Sequence, residues 1–228
     1  MPTMVEALKL LQFGDSAFPV GAFSFSNGLE TAVQHEVVHD RATLHEFVRT
    51  VTRAAATGDG VATLVGHRGA AAGDLDVIRQ ADEAVHLRKI NEETRTMTVR
   101  MGRKLAEAAN RIVGESLLKK RAGETGTGVP VTYPVALGVL FAELGLREED
   151  AFAAHQYGAA STVLGAAIRL MRVDHLDAQS ILFAVNEKAT DDYQEVRTAT
   201  LDDMQGFAPH LDILAGAHQH AHVRMFMS

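Results

Sequence analysis

Apolar and polar positions along this chain follow the spacing of amphipathic helices. In the clearest run, apolar residues recur at intervals of three and four, which places them on one helical face. The run consists of Leu44, Phe47, Val48 and Val51. Because Asp40 or Thr43 precedes it as a capping residue, the pattern predicts a helix that begins near position 41.

The same spacing predicts helices through most of the remaining chain. Proline interrupts helices, and the five prolines leave residues 20–129 and 135–208 free of it. The strict alternation that is typical of strands is nearly absent. We therefore predict an all-α, single-domain bundle of roughly ten helices. Besides the helix from 41, the expected helices are 4–12, 26–34, 60–71, 74–90, 92–121, 134–144, 148–172, 176–188 and 204–224.

A glycine-rich segment separates two of the long helical patterns. Residues 121–132 read RAGETGTGVPVT, in which three glycines and a proline interrupt helix formation. We predict a mobile loop at this point. A single core shared by both sides of the loop is favoured over two small domains, since small domains bury too little surface to be very stable.

Composition narrows the classes of function. The 22 Lys and Arg residues against 29 Asp and Glu give a net charge of −7, the wrong sign for a protein that neutralises phosphates, so we expect no nucleic-acid partner. The chain has no cysteine, which excludes disulfides, thiolate zinc sites and a cysteine nucleophile. Neither a secretory signal nor a membrane-spanning run is visible, so a cytoplasmic protein without membrane contact is expected.

One short motif matches a zinc protease pattern. The HEVVH sequence at 35–39 fits HExxH, in which two histidines and a general base share one helix. The start signals of the next helix follow directly, so we predict that His35 and His39 lie on either side of a helix boundary. A zinc-dependent hydrolase that uses His35, Glu36 and His39 is the alternative function.

Two histidines near the C-terminus raise a second metal hypothesis. At helical spacing His218 and His222 share one face and could hold nickel or zinc. The other interpretation is a solvated helix end, because no carboxylate accompanies the two imidazoles. Neither a phosphate-binding Gly-Lys-Ser/Thr loop nor a G-x-S-x-G elbow is present, so we expect no cofactor and no catalytic residue.

Small residues form a stripe along the predicted helix 148–172. Their spacing of four, three and four places them on one side, where a second helix can approach closely. The stripe consists of Ala154, Gly158, Ser161 and Gly165, and Tyr157 borders it. Either it packs within the chain, or it pairs across the two-fold axis of a homodimer.

Two apolar segments could either pack on the core or contact a partner protein. The first contains Phe18, Pro19, Val20, Gly21, Phe23, Ser24 and Ser26. Aromatic side chains in such a loop either fold onto the core or form a partner-binding surface. The second segment, at the C-terminus, contains Arg224, Met225 and Phe226. We interpret it as a docking tail, since apolar residues at a terminus have little chain left to cover them.

Residues 11–30, LQFGDSAFPVGAFSFSNGLE, resemble the N-terminal signature of the urease accessory protein F family, UreF. The resemblance covers nearly the whole chain. Departures are modest: Phe25 stands where Tyr is common, and Asn27 where Gln is common. Further matches are Glu93-Thr94-Arg95, Met101-Gly102-Arg103, Tyr133-Pro134-Val135, Leu144-Gly145, Arg169-Leu170 and Phe207-Ala208-Pro209.

The resemblance implies an all-α chaperone without catalysis of its own. Proteins of that family act as homodimers that bind the scaffold protein UreD, also called UreH, and recruit the GTPase UreG. The resulting complex uses GTP hydrolysis to insert nickel into apo-urease. Any stimulation of the GTPase by an inserted arginine would fall to Arg95, Arg103 or Arg224.

By position, the resemblance also implies roles for the segments described above. Tyr157 and the small-residue stripe correspond to the dimer helix. Arg224, Met225 and Phe226 correspond to the contact with the scaffold protein. The segment from Phe18 to Ser26 corresponds to a surface that faces the GTPase.

Overall fold

The computed structural model describes residues 3–124 and 128–205, together with 213, 214, 216, 225 and 226. Within these residues the structure is helical and contains no strand, which confirms the predicted all-α class. None of the helices in this part of the chain is long and apolar enough to cross a bilayer. The α-helices are α1 Met4–Gly14, α2 Leu29–Gln34, α3 Arg41–Ala55, α4 Val61–Ala72, α5 Leu75–Arg88, α6 Glu92–Ile112, α7 Leu117–Gly123, α8 Tyr133–Glu143, α9 Glu148–Leu170, α10 His175–Asn186 and α11 Ala189–Val196.

Reciprocal side-chain caps set the starts of α1 and α3. The Asp40 carboxylate accepts from the Thr43 amide at 2.8 Å, and the Asp40 amide donates to the Thr43 hydroxyl at 3.0 Å. Helix α3 therefore begins at Arg41, as the sequence predicts. Thr3 and Glu6 form the same arrangement at α1. Each pair satisfies amides that the first turn of a helix leaves without partners.

The predicted helix 92–121 is wrong, because the chain breaks there into α6 and α7. Gly114 lies between them with a left-handed φ of +90°, a conformation that glycine adopts without steric cost. Two residues later Ser116 starts a new helix by accepting from the Lys119 amide at 2.9 Å. Apolar spacing continues through both helices, so periodicity alone does not reveal the break.

Helix α2 begins three residues later than the position near 26 that the sequence indicates. Residues 27 and 28 were expected to be helical, yet Asn27 and Gly28 have φ of +52° and +83°, and the helix begins at Leu29. Left-handed backbone at both positions turns the chain sharply before α2. This turn places Glu30 in the first turn of the helix, where its side chain is buried.

Helix α11 has no counterpart in the sequence prediction. The helix is short and rich in charge, yet its apolar residues Tyr193 and Val196 pack into the core. Ion pairs attach it to α3 as well. The Arg49 guanidinium donates to both carboxylate oxygens of Asp192 at 2.5 and 2.8 Å, and Arg53 adds a third bond at 3.1 Å. Bidentate charge-assisted bonds of this kind are strong and specific in direction.

Helix α8 lies in the interior and is buried continuously from Pro134 to Phe141. Gly138 lets it approach α4 closely, since a Cβ at that position would overlap the Thr63 carbonyl oxygen. Helix α9 joins two apolar clusters. Its first half contributes Phe152 to the cluster around α4, α5, α6 and α8, and its second half contributes Val163 to the cluster around α2, α3 and α10.

The predicted loop 121–132 is shorter in the structure. Residues 121–123 belong to α7, and the Arg121 side chain is buried beside Asp82, with Nε and Oδ2 3.0 Å apart. Asp82 Oδ1 accepts from the Thr132 amide at 2.7 Å and from its hydroxyl at 2.8 Å. Arg121 also donates to the Val129 carbonyl at 3.0 Å. This buried network holds both described ends of the connection, and residues 125–127 lie outside the described part.

Candidate functional site

The N-terminal signature segment is divided between the interior and the surface. Phe18 is half-buried and packs on Phe13, with ring centroids 5.2 Å apart. Val20 and Ser26 are buried, and the Ser26 hydroxyl accepts from the Glu30 amide at 3.4 Å. Phe18, Val20 and Ser26 thus pack against the core, which is the first of the two interpretations of this segment.

The other half of the segment faces outward. Pro19 is exposed, Gly21 and Ser24 are half-buried, and Phe23 is 72% exposed. Gly21 has a φ of +84°, which leads into the single 3-10 turn that carries Phe23. One exposed phenylalanine does not by itself mark a contact surface, since Phe183 is exposed to the same extent, 72%.

Two residues near the C-terminus are bound to the first turn of α2. The Glu30 carboxylate accepts from the Met225 amide at 2.7 Å and from the Phe226 amide at 3.0 Å. The Phe226 side chain is only 5% exposed and lies in the apolar cluster of α2, α3, α9 and α10, whereas Met225 is 62% exposed. Phe226 therefore anchors these two residues to their own chain, and the Met225 side chain faces solvent.

Arg169, near the end of α9, connects these elements. Its guanidinium carbon lies 4.1 Å from the Phe226 ring centroid, a cation–π contact. The same guanidinium donates to the Phe23 carbonyl at 2.8 Å and to the Gly165 carbonyl at 3.2 Å. We name Phe23, Gly165, Arg169 and Met225 the terminal surface.

The small-residue stripe runs from the interior to this surface. Ala154 is buried, and a Cβ placed on Gly14 would touch its side chain at 3.4 Å. Its middle residues are half-buried, and Gly165 is exposed with no atom within 4 Å of the position of a Cβ. Thus only the C-terminal end of the stripe is open to a second helix. The half-buried members are Tyr157, Gly158 and Ser161.

The HEVVH segment does not form the single helix that zinc hydrolysis needs. His35 is the C-terminal cap of α2, and Glu36 has a left-handed φ of +58°. His39 lies in the connection before α3, and its ring Nδ1 is 3.1 Å from the Glu36 carbonyl oxygen. The predicted helix boundary is confirmed, and this geometry gives the hydrolase alternative no support.

Several predicted site residues lie outside the described part of the chain. These are Arg224, His218 and His222. Among the described residues, no group of three or more histidine or carboxylate side chains is arranged to hold a metal ion. Of the arginines considered for GTPase stimulation, Arg95 donates to the Lys89 carbonyl at 2.8 Å and Arg103 is exposed.

Sequence reasoning missed two residues that organise the terminal surface. Glu30 closes the Gly-Leu-Glu end of the N-terminal signature, and Arg169 closes the small-residue helix. Both positions stand within the stretches that carry the family resemblance, which was the available signal. Their partners are 196 and 146 residues distant in sequence, so no local pattern reveals the contacts.

The described residues define an all-helical protein that brings its N-terminal signature, the end of α9 and residues 225 and 226 to one surface. The UreF family matches residues 38–186. The chain is 51% identical to urease accessory protein UreF 2 of Brucella canis over 226 residues, which cover 97% of this chain and 91% of that protein. It is 44% identical to urease accessory protein UreF of Yersinia pestis over 222 residues, covering 97% of both chains. The chain belongs to the UreF family of urease accessory proteins.

Proposed function

We propose that this protein is a non-enzymatic chaperone of urease maturation that acts in the cytoplasm. In this proposal a homodimer binds the UreD/UreH scaffold protein and the GTPase UreG. The assembly couples GTP hydrolysis in UreG to the insertion of nickel into apo-urease. Membership of the UreF family, at 51% identity to a urease accessory protein, is the observation that carries it.

The terminal surface supports the assignment of partners. Met225 is exposed while its neighbour Phe226 is anchored, so the tail offers an apolar contact on a fixed backbone. A preorganised contact loses less conformational entropy on binding than a free tail does. We assign the scaffold contact to Met225 together with Arg224, with Phe226 as the internal anchor.

The proposed dimer and GTPase contacts use different parts of the same region. The open end of the α9 stripe at Gly165 suits the approach of a second α9 helix, with Tyr157 and Ser161 at its flank. The GTPase contact is assigned to the outward half of the signature segment, Pro19, Gly21, Phe23 and Ser24, in which Phe23 is the exposed aromatic residue. Phenylalanine is enriched at protein–protein interfaces relative to the rest of the surface.

Size-exclusion chromatography with light scattering tests this proposal directly. The chain is mixed with the UreD/UreH scaffold protein and GTP-loaded UreG, and metal is measured in the eluted peak. Co-elution of all three as an assembly with two copies of this chain is expected. Elution of this chain as a lone species that carries one zinc ion would contradict the proposal.

Deletion of residues 224–228 tests the whole tail in the same assay, with circular dichroism as the check that the loss of the buried Phe226 ring leaves the helices folded. The truncated chain is expected to keep its helical circular dichroism and to lose scaffold binding. A full-length variant with Arg224→Ala tests the arginine alone. Undiminished co-elution of both variants with the scaffold would overturn the assignment of the tail.

A further inference from the structure

A single π-helical turn, Ala56–Gly60, interrupts the continuous path from α3 to α4. Such turns are rare and occur often at functional sites. The side-chain amide of Gln156 stabilises the π turn. In the orientation that pairs both its nitrogen and its oxygen, the nitrogen donates to the Thr52 carbonyl at 2.9 Å and the oxygen accepts from the Ala56 amide at 3.3 Å. The turn carries Asp59 to the wall of a cavity.

This cavity has a volume of about 210 Å³ and lies between the π turn, α6, α8 and α9. Most of its wall is apolar, and exposed residues Asp15 and Ser16 at its rim show that it opens to solvent. An apolar cavity of about 150 Å³ is known to hold benzene, so this one has room for a single ring. The main apolar lining residues are Val20, Val51, Met97, Met101, Pro134 and Met204.

One polar side chain in the wall lacks a partner. His155 of α9 is 5% exposed, and its ring Nδ1 makes no hydrogen bond within the described part of the chain. Burial lowers the pKa of His155 to about 4, so its imidazole is neutral at pH 7 and has one donor and one acceptor nitrogen. A buried polar atom without a partner is unfavourable, and each instance calls for an explanation such as a bound molecule.

The two charges that act on the pKa of His155 oppose each other: Asp59 raises it and Lys89 lowers it. Lys89 Nζ lies 2.7 Å from Asp59 Oδ2, and both side chains are largely buried. The Lys89 backbone is fixed in turn, since Arg95 donates to its carbonyl at 2.8 and 3.1 Å. With the ion pair already satisfied, this region of the cavity favours a neutral ligand over an ion.

We propose that the cavity binds a neutral ring compound of the phenol class, whose hydroxyl pairs with the His155 imidazole. A hydroxyl both donates and accepts, so it satisfies either tautomer of the ring. The aromatic body packs against Met97 and Met101, whose sulfur atoms interact favourably with aromatic rings. The cavity borders the signature segment and the small-residue stripe, since Val20, Ala22 and Gly158 also line it.

Methionine methyl resonances provide a direct test with p-cresol as the probe and toluene as its match without a hydroxyl. On titration into the ¹³C-methyl-methionine chain, p-cresol is expected to shift the signals of Met97, Met101 and Met204. The exposed Met4 and Met225 serve as internal controls and are expected to stay unshifted. Toluene is expected to bind about tenfold more weakly, because it leaves the imidazole without a partner.

A substitution isolates the imidazole. The His155→Leu variant is expected to bind p-cresol and toluene with equal affinity, while His175→Leu, which removes an exposed imidazole outside the cavity, leaves the preference for p-cresol intact. N-acetyl-tyrosinamide tests the source of the phenol: binding of p-cresol alone indicates a free small molecule, and binding of both extends the class to a tyrosine side chain.

Three outcomes would overturn the proposal. The first is the absence of shifts at the cavity methionines with millimolar p-cresol. The second is equal affinity of the unmodified chain for p-cresol and toluene. This comparison does not need the His155→Leu variant and so remains decisive if that variant fails to fold. The third is an unchanged preference for p-cresol in a folded His155→Leu chain.

Discussion

The carboxylate of Glu30 holds the backbone amide of Phe226 at 3.0 Å, across 196 residues of sequence. The side chain of Phe226 then enters the apolar cluster beneath α2 and is covered by Arg169. The N-terminal signature and the tail are therefore two parts of one surface. Glu30 itself is buried, so a substitution at Glu30 is expected to affect partner binding indirectly, by releasing the exposed Met225 from its fixed position.

The first prediction concerns the charge of Glu30. Glu30→Gln weakens the bonds to both tail amides and is expected to lower the free energy of unfolding by about 2 kcal/mol. Hydrogen exchange at the amides of Met225 and Phe226 is expected to accelerate. The exposed Glu83→Gln change is the control and leaves both readouts unaltered. Equal exchange rates in Glu30→Gln and the unmodified chain would refute the anchoring role.

The second prediction separates the anchor from the contact in the tail. Phe226→Ala removes a buried ring and is expected to reduce the free energy of unfolding by about 3 kcal/mol. Met225→Ala, at an exposed side chain, is expected to change it by less than about 0.5 kcal/mol while weakening scaffold binding. Urea unfolding and pull-down with the scaffold protein measure the two effects. The assignment fails if Met225→Ala binds the scaffold as tightly as the unmodified chain.

The third prediction concerns the open end of the α9 stripe. Gly165→Leu places a side chain in open space, so the monomer fold is expected to persist, with stability equal to or slightly above that of the unmodified chain. In the proposed homodimer the same side chain blocks the approach of a second helix. Light scattering is expected to report a monomer, and a persistent dimer would show that the stripe is not the interface.

A matched substitution at a buried glycine is expected to behave in the opposite way. Gly138→Ala drives a methyl group into the Thr63 carbonyl, so α4 and α8 must separate. A loss of about 3 kcal/mol or more in the free energy of unfolding is expected. Thermal unfolding measured by circular dichroism decides the matter. A melting temperature equal to that of the unmodified chain would argue against the close packing of α4 on α8.

The fourth prediction is a pH dependence of stability from the buried Asp82. Burial raises the pKa of Asp82 to about 6, against the opposing effect of the Arg121 charge. Since the folded-state pKa lies above the unfolded value of about 4, the contribution of this group is fully present below pH 4 and is lost as the pH rises through 6. The difference in unfolding free energy between the unmodified chain and Asp82→Asn is expected to change across this window.

Urea titrations at pH 4 to 8 measure this difference, and the exposed Asp76→Asn variant is the control. His155 acts with the opposite sign, because burial lowers its pKa to about 4. Its contribution is present above about pH 6.5 and is lost as the pH falls toward 4. A constant difference between Asp82→Asn and the unmodified chain from pH 4 to 8 would exclude a perturbed carboxyl at position 82.

Capping residues and apolar spacing predict those helices whose ends are set by neighbouring residues in the sequence. The Asp40 and Thr43 capping pair and the amphipathic run behind it place α3 correctly. The break before α7 escapes prediction, since apolar spacing continues past Gly114. Helix α11 also escapes, because it is short and is held by tertiary contacts: core packing of Tyr193 and Val196, and ion pairs to α3 that span more than a hundred residues.

In the candidate site, too, features set by nearby residues are more predictable than features set by tertiary contacts. The sequence leaves open whether the aromatic residues of the signature segment fold onto the core or face outward, and the structure contains both, with Phe18 half-buried and Phe23 exposed. Tertiary contacts decide which residues of this segment are buried. The burial of Val20 and Ser26 beside an exposed Phe23 therefore cannot be predicted from the sequence. The roles of Glu30 and Arg169 require the fold, since each residue bonds to backbone groups far away in sequence.

The bond between Glu30 and the tail also orders events during synthesis. Chains fold as they emerge from the ribosome, N-terminal segments first. Residues 225 and 226 are translated after the described helices of the bundle, so the two bonds to Glu30 form only once these residues have left the exit tunnel. The terminal surface can therefore form only on chains that have been translated through Phe226, and a prematurely terminated product would not compete with the finished protein for this contact.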